Sequence, residues 1–324
     1  MHWQSKAPAN IALIKYMGKS NTSTNTASTP SLSLTLDHLQ TRLEATESAE
    51  DSWEPLDGKD LLPQKLSDRG LQRFLSHWKA LKRHFAIEGN YRIRSANNFP
   101  SDCGVASSAS SFAGLTKLAF EVAKDRGNKN LQISVSELAS LSRLASGSSC
   151  HSFYTPWCLW NSDGVKEIEL GFDKYIHQLI IVDASVKQVS SSEAHKRVET
   201  SPHYSGRKNR AEKRLKEVIV GLSSDYRNSW SQIFNTVWDE FIDMHNLFHT
   251  SDPSFRYITK STEQVLESLR SHWSHEGDGP LVTMDAGANI HLIYREDQSK
   301  LAEIMRNKHK QDYRVICSEQ DFSN

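Results

Sequence analysis

The chain predicts an α+β protein and not a doubly wound parallel sheet, because strand-like and helix-like segments are mixed in both halves without regular alternation. The strands show a two-residue period: Leu32, Leu34 and Leu36 alternate with Ser33 and Thr35. The helices show the longer one: Phe112, Leu115, Ala119 and Val122 recur at three to four residues, with Gly127 as the stop.

Taken in order, Asn10, Ile11, Ala12, Leu13 and Ile14 read as a buried strand that ends at a charged corner of Lys15, Tyr16, Gly18 and Lys19. A polar loop over 20–31 leads to the Leu32 strand, and residues 40–70, charged and broken by prolines, read as hairpins and loops. The stretch SANNFPSDCGVASSASSF (95–112) turns an extended segment into a helix. Ser134 and Glu137 form a capping box for a helix bearing Leu138, Leu141 and Leu144, which ends at SGSSCHS (146–152). Near residue 176 the character changes, which divides the chain into 1–177 and 178–324. The second part opens with a buried strand over 179–182 and a polar loop, DASVKQVSSSEAHKRVETSP (183–202). Amphipathic helices follow around Ala211–Leu222, Trp230–Phe241 and Ile258–Leu269. Two strands, LVTM and IHLIY, flank the turn DAGAN (285–289). The basic run GRKNRAEKRLK (206–216) reads as a solvated helix face, and the tryptophans as mostly helical core.

The 324 residues hold 39 basic and 39 acidic side chains, so no global charge points to nucleic acid or to a membrane surface. Any anionic ligand must be met by local charge. No stretch approaches the roughly 18 apolar residues of a membrane span. The N-terminus lacks the apolar run and cleavage site of a leader. Four cysteines without close pairing fit a reducing cytoplasm. No Cys-x-x-Cys pair occurs, and a metal held by protein ligands is not expected.

The chemistry follows from the polar corners. Small residues at a helix start leave backbone N–H groups and the positive helix end open to an anion, although such a stretch also caps itself. Several Ser/Gly clusters, a strand-end lysine and a turn aspartate together suggest two phosphorylated ligands in one site. Phosphoryl transfer needs positioning, charge neutralisation and a carboxylate to take the hydroxyl proton, for which Asp285 is the candidate.

APANIALIKYMGK, SANNFPSDCGVASSASSFAGL, SGSSCHSFYTPWCLW, VSSSEAHKRVETSP and TMDAGAN, in this order, resemble the mevalonate diphosphate decarboxylases. These belong to the superfamily of galactokinase, homoserine kinase, mevalonate kinase and phosphomevalonate kinase. The resemblance runs from about residue 7 to about 295. It implies a two-domain fold, with an N-terminal half like ribosomal protein S5 domain 2 and a ferredoxin-like C-terminal half. It also implies ATP-dependent conversion of mevalonate 5-diphosphate to isopentenyl diphosphate, with Mg²⁺ arriving on the nucleotide. Carried over by position, Asp285 matches the catalytic aspartate and Lys15 the lysine beside it. Asn10, Tyr16, Lys19, Ser146, Gly147, Ser148, Ser191 and Ser192 match substrate positions, and Asn97, Gly104, Ala106, Ser107 and Ser108 match the ATP-phosphate loop. Family members are commonly homodimers, although no apolar stripe in this sequence requires one.

Several positions depart from the family pattern. His151 stands where the family has the arginine that clamps the substrate carboxylate. An imidazole is charged only in part near neutrality and offers one donor to any one anion. The expectation is a weaker clamp, kept protonated by nearby anions, whose activity falls as pH rises; Arg143 or Arg197 are the alternative clamps. Met17 replaces a usual Trp, Thr155 and Pro156 a Gly-Gly pair, and Ala288 a Pro. Two other functions stay open: a small-molecule kinase without decarboxylation, and a non-catalytic nucleotide-binding protein.

Overall fold

The computed structural model of the chain describes residues 1–100, 107–127, 131–185, 187–223 and 225–318. Its first sheet is organised by two long antiparallel strands, β1 (His2–Ile14) and β4 (Ser31–Ser48), separated by the small hairpin β2 (Lys19–Asn21) and β3 (Thr26–Ala27). β4 is far longer than its leucine triplet suggested. Thr41, Leu43 and Ala45 are buried while Arg42 faces solvent and Glu44 is half-buried. Arg42 and Glu44, expected in a loop, are therefore on the outward side of a two-residue alternation. β5 (Ser52–Pro55) and β6 (Leu62–Pro63) follow, before helix α1 (Asp68–Phe85). Ser67 Oγ caps α1 by accepting from the Gly70 N–H at 3.2 Å, and Phe74, Trp78 and Leu81 seat it on the sheet core. β7 (Asn90–Asn97) then pairs with the far half of β4.

Helix α2 (Ser107–Asp125) packs over β1 and β4, and the predicted capping box of Ser134 and Glu137 opens α3 (Val135–Arg143). A short 3₁₀ turn over Gly147–Phe153 leads to β8 (Trp157–Asn161) and β9 (Gly164–Glu167), which complete this sheet in the order β5-β7-β4-β8-β9, with β1 on β4 and β6 on β7.

The second sheet is antiparallel. β10 (Tyr175–Ile181) is followed by α4 (Ser191–Arg197), α5 (Arg207–Ser223), α6 (Tyr226–Thr250) and α7 (Lys260–Glu276). The chain then forms β11 (Leu281–Thr283), β12 (Ile290–Arg295), α8 (Ser299–His309) and β13 (Arg314–Cys317), giving the order β11-β12-β10-β13. The expected division between 177 and 178 falls inside β10, and one apolar core runs across it: Ile11, Leu34 and Trp157 pack in the same cluster as Leu179, Phe234 and Ile290.

Three expectations change here. The polar loop 183–202 contains α4, capped by Ser190 Oγ accepting from the Glu193 N–H at 3.2 Å. The basic run 206–216 is a solvated face only at Lys208, Lys213 and Lys216, because Arg207 is fully buried and Arg210 and Arg214 bind carboxylates. Trp3, Trp53, Trp157 and Trp160 lie on strands, so helices hold only the other half of the tryptophans. Among the described residues, no helix is long and apolar enough to cross a membrane.

Candidate active site

The first sheet delivers a lysine to the second through the corner after β1. At Ile14 the strand pairing ends, and the buried Lys15 side chain reaches the DAGAN turn, where Nζ donates to Asp285 Oδ1 at 2.8 Å. Burial pushes the Lys15 amine below its ordinary value, and the Asp285 carboxylate opposes that shift. The turn is pinned by the Gly287 N–H donating to Asp285 O at 2.8 Å, and Asn289 Oδ1 accepts from the Val182 and Asp183 N–H groups at 2.8 and 2.9 Å. Asp285 stays partly open, its side chain 25% exposed against 2% for Lys15. An ammonium held in the wall beside an accessible carboxylate is suited to orienting a hydroxyl and taking its proton.

Around this pair stand the Ser/Gly corners. The Tyr16 ring lies between Trp160 and His195, with centroids 4.7 and 4.3 Å away. Its buried hydroxyl has no hydrogen-bond partner among the described residues, and burial raises its pKa. A Cβ on Gly147 would come within 2.6 to 2.9 Å of that ring, so the 3₁₀ turn approaches Tyr16 as only glycine permits. Gly18, at φ +86, is likewise restricted to glycine, and its N–H donates to His195 Nδ1 at 3.0 Å. The Ser108 and Ser146 hydroxyls are 3.3 Å apart, which joins the start of α2 to the Ser146–Ser148 corner. Asn10 donates to Ser152 Oγ at 3.0 Å and accepts from Ser33 Oγ at 3.1 Å.

Positive charge is concentrated at one mouth of the site. Lys19 donates to Asn25 Oδ1 at 2.6 Å, and burial together with Arg73 and Lys196 pushes its amine down. Arg73 is in turn lowered by burial and by Arg69. These cations from β2, α1 and α4 stand near enough to repel one another, an arrangement that would suit an anion.

A family model described as the diphosphomevalonate decarboxylase-like N-terminal domain matches residues 7–168, half of the chain. The crystal structure of a mevalonate diphosphate decarboxylase from Legionella pneumophila is 43% identical, with TM-score 0.89 over 98% of this chain and 100% of that one. The chain belongs to the diphosphomevalonate decarboxylase family. The diphosphomevalonate decarboxylase of Debaryomyces hansenii is 27% identical over 92% of this chain and 81% of its own length. The protein MDDEF, in complex with MVAPP, AMPPCP and magnesium, is 26% identical with TM-score 0.82, covering 97% of this chain and 96% of that one.

Family membership gives the expected residues a place against which the geometry can be compared. Lys15, Asp285, Tyr16, Gly147 and Asn10 converge from β1, the 3₁₀ turn and the DAGAN turn. Ser191 and Ser192 open α4, the helix whose His195 and Lys196 face Tyr16 and Lys19. Ser107 and Ser108 begin α2, while Gly104 and Ala106 lie outside the described residues. Asn97 is buried below α2, where its Oδ1 accepts from Thr41 Oγ1 at 2.8 Å and Gln64 Nε2 at 2.7 Å.

His151 lies on the 3₁₀ turn over Gly147–Phe153. The ring is buried, stacks edge-on against Trp160 at 5.9 Å, and feels the Asp285 carboxylate. In the ligand-free protein burial pushes it down to about 4, and the Asp285 carboxylate opposes that shift. Arg197 is committed to Glu193 at 2.9 Å. Arg143 lies over Trp160 at 5.6 Å, has a buried Nε with no partner among the described residues, and acts on Tyr16. Its guanidinium thus stands beside both Trp160 and Tyr16.

The sequence reading missed Arg69, Arg73 and Lys196 of the cationic mouth, and also His195 and His245. The Ser190-x-x-Glu193 pattern was the signal for α4. No local signal marked the arginines of α1.

The buried histidines make one consequence measurable. Burial pushes His38, His77, His151 and His309 down to about 4, and His195 and His245 to about 3. An unfolded chain takes up these protons near the ordinary value of about 6.5, whereas the fold refuses them until far lower pH. The associated stability is complete above pH ~6.5 and is lost as pH falls toward about 4. Thermal melts between pH 8 and 4.5 should show a flat Tm at the alkaline end and a steep fall in acid. A constant Tm through that range would contradict the buried neutral rings.

Proposed function

We propose that the protein phosphorylates the 3-hydroxyl of mevalonate 5-diphosphate with ATP and releases phosphate and carbon dioxide to give isopentenyl diphosphate. The observation that carries this reading is the Lys15–Asp285 contact at 2.8 Å, set between an anion-binding mouth and the Tyr16–Gly147 corner. Asp285 orients the hydroxyl and takes its proton as the oxygen attacks the terminal phosphorus and ADP leaves. Lys15 holds that carboxylate and adds positive charge where phosphoryl oxygens gather. The C3–O bond then breaks with phosphate as leaving group, and the carboxylate leaves as carbon dioxide while its bonding pair forms the new C=C bond. Mg²⁺ arriving with the nucleotide would neutralise the charge of its phosphates. The fit for nucleotide and diphosphate rests on the unpartnered Tyr16 hydroxyl and on the mutually repelling Lys19, Arg73, Arg69 and Lys196. Ser107 and Ser108 at the start of α2 supply the helix end for ATP phosphates, and Ser146, Ser148, Ser191 and Ser192 supply hydroxyls toward the substrate. Asn10 lies toward the mevalonyl group, and Arg143 with neutral His151 faces its carboxylate. The free thiols of Cys150 and Cys158 support placing the reaction in the reducing cytoplasm.

Purified protein with ATP, Mg²⁺ and mevalonate 5-diphosphate tests the reading, with ADP and carbon dioxide followed together. Equal release of both is expected. ADP without carbon dioxide would make the protein a kinase, and absence of both would reject the reading. Gly147→Ala should raise the KM for mevalonate 5-diphosphate by about 10-fold or more, because the added methyl must displace Tyr16. An unchanged KM in that variant would remove Tyr16 from the substrate site.

A further inference from the structure

We propose that Glu240 and His245 of α6, with Arg207 of α5 seated on Glu240, are positioning residues that hold the main chains of Lys15 and Asp285 so that ammonium and carboxylate meet at the reacting hydroxyl. This rests on the decarboxylase reading and assigns that site its support. Lys15 follows the last paired residue of β1, so its peptide groups enter a buried place without a sheet partner. Buried backbone groups need partners. Here they are charged: the Lys15 N–H donates to Glu240 Oε1 at 2.9 Å, and Arg207 Nη2 donates to Lys15 O at 3.2 Å. Thr29 Oγ1 also donates to that carbonyl, at 3.1 Å. At the other member of the pair, His245 Nε2 lies 3.1 Å from Asp285 O. A carbonyl only accepts, so His245 carries a proton on Nε2, and burial favours the neutral ring. One helix thus grips both residues from behind.

The cost of this arrangement argues for a role beyond stability. Arg207 and Glu240 are both fully buried and paired with each other, Nη1 to Oε2 at 2.9 Å and Nη2 to Oε1 in a second contact. Arg207 and Arg214 each reach Asp243 as well, and Arg214 also binds Glu240 at 3.0 Å. Apolar residues of the same volume commonly serve stability as well as a buried ion pair or better. A buried pair is favoured where it fixes something in one orientation, and here its free valences end on the peptide of the residue that carries the amine. The charged and titratable groups facing Lys15 are Asp285 from the turn, Glu240 and His245 from α6 and Arg207 from α5. Glu240 favours the charged amine and Arg207 opposes it, so the two act in contrary directions on one titration.

That contrast gives the test. In the ligand-free full-length chain, the Lys15 amine is followed by NMR of ¹⁵N-lysine-labelled protein, and kcat and KM are measured across pH. Glu240→Gln should lower kcat about 100-fold, as expected of small misplacement of a reacting group, with KM changed less than about threefold. Its Lys15 titration should move to lower pH. Arg207→Gln should lower kcat as well but move the titration to higher pH. His245→Leu should lose kcat, and His245→Gln, which keeps a donor near the same place, should recover most of it. Arg210→Gln removes outer contacts to Asp243 that do not reach Lys15, and should keep kcat while matching any loss of Tm. The proposal is overturned by wild-type kcat in Glu240→Gln, by Lys15 titrations that move together or not at all, or by Arg210→Gln losing kcat in step with Tm. If wild-type protein releases neither ADP nor carbon dioxide from mevalonate 5-diphosphate, the substrate reading fails, while the ligand-free titrations still decide the positioning roles.

Discussion

Asp285→Asn should fold as the parent does and lose about 10³- to 10⁴-fold in kcat, the upper range for a positioned general base. The change preserves size. It also preserves the main-chain contacts of the turn, the Gly287 N–H to Asp285 O bond at 2.8 Å and the His245 contact at 3.1 Å. What disappears is the acceptor for the hydroxyl proton and the counter-charge that favours a protonated Lys15. Substrate KM values should stay within about threefold, because the diphosphate and nucleotide positions draw on Tyr16, Lys19 and the helix starts. Single-turnover ADP formation with mevalonate 5-diphosphate checks this. A variant with undiminished single-turnover rate would leave the reaction without its base and refute the assignment.

Lys15→Met should separate activity from stability. The backbone bonds to Glu240, Arg207 and Thr29 survive, because none involves the side chain. The apolar stem is kept and only the ammonium is lost, which should reduce kcat by about 10²- to 10³-fold through lost charge stabilisation. Removing one partner of a buried pair is usually destabilising because the other charge is stranded. Here the remaining carboxylate belongs to the partly open Asp285, which solvent screens, whereas the burial that lowers the Lys15 amine is itself unfavourable to the charged form. The expected Tm is therefore equal to or above that of the parent, alongside the loss of kcat. A matched fall in Tm and activity would show that Lys15 serves the fold first.

Much of this site was readable from residue order. Lys15, Tyr16 and Lys19 follow an apolar strand, and the DAGAN turn sits between two others, so their placement at sheet ends follows from local pattern. The Ser134–Glu137 cap was legible for the same reason, since both partners lie within one turn. The Ser190–Glu193 cap carried an identical signal that was passed over in favour of a polar loop. In β4 the charges of 40–48 obscured an alternation whose inward members, Thr41, Leu43 and Ala45, are small or apolar. The basic run of α5 misled for a different reason. Arginine is mostly exposed in proteins, and Arg207 is buried only because Glu240 arrives from the next helix.

The sequence by itself determined the periodicities, the Ser134–Glu137 cap and the family, because each depends on residues a few positions apart or on motifs kept in order. Only the tertiary structure decided which groups meet and in what charge state. Lys15 and Asp285 touch across 270 positions of chain, and Lys15 and Glu240 across 225. The same holds for His151: its residue type was visible, but its neutrality comes from burial beside Trp160. Desolvation and Coulomb energy depend on distance and surroundings, which the order of residues does not contain until the chain has packed.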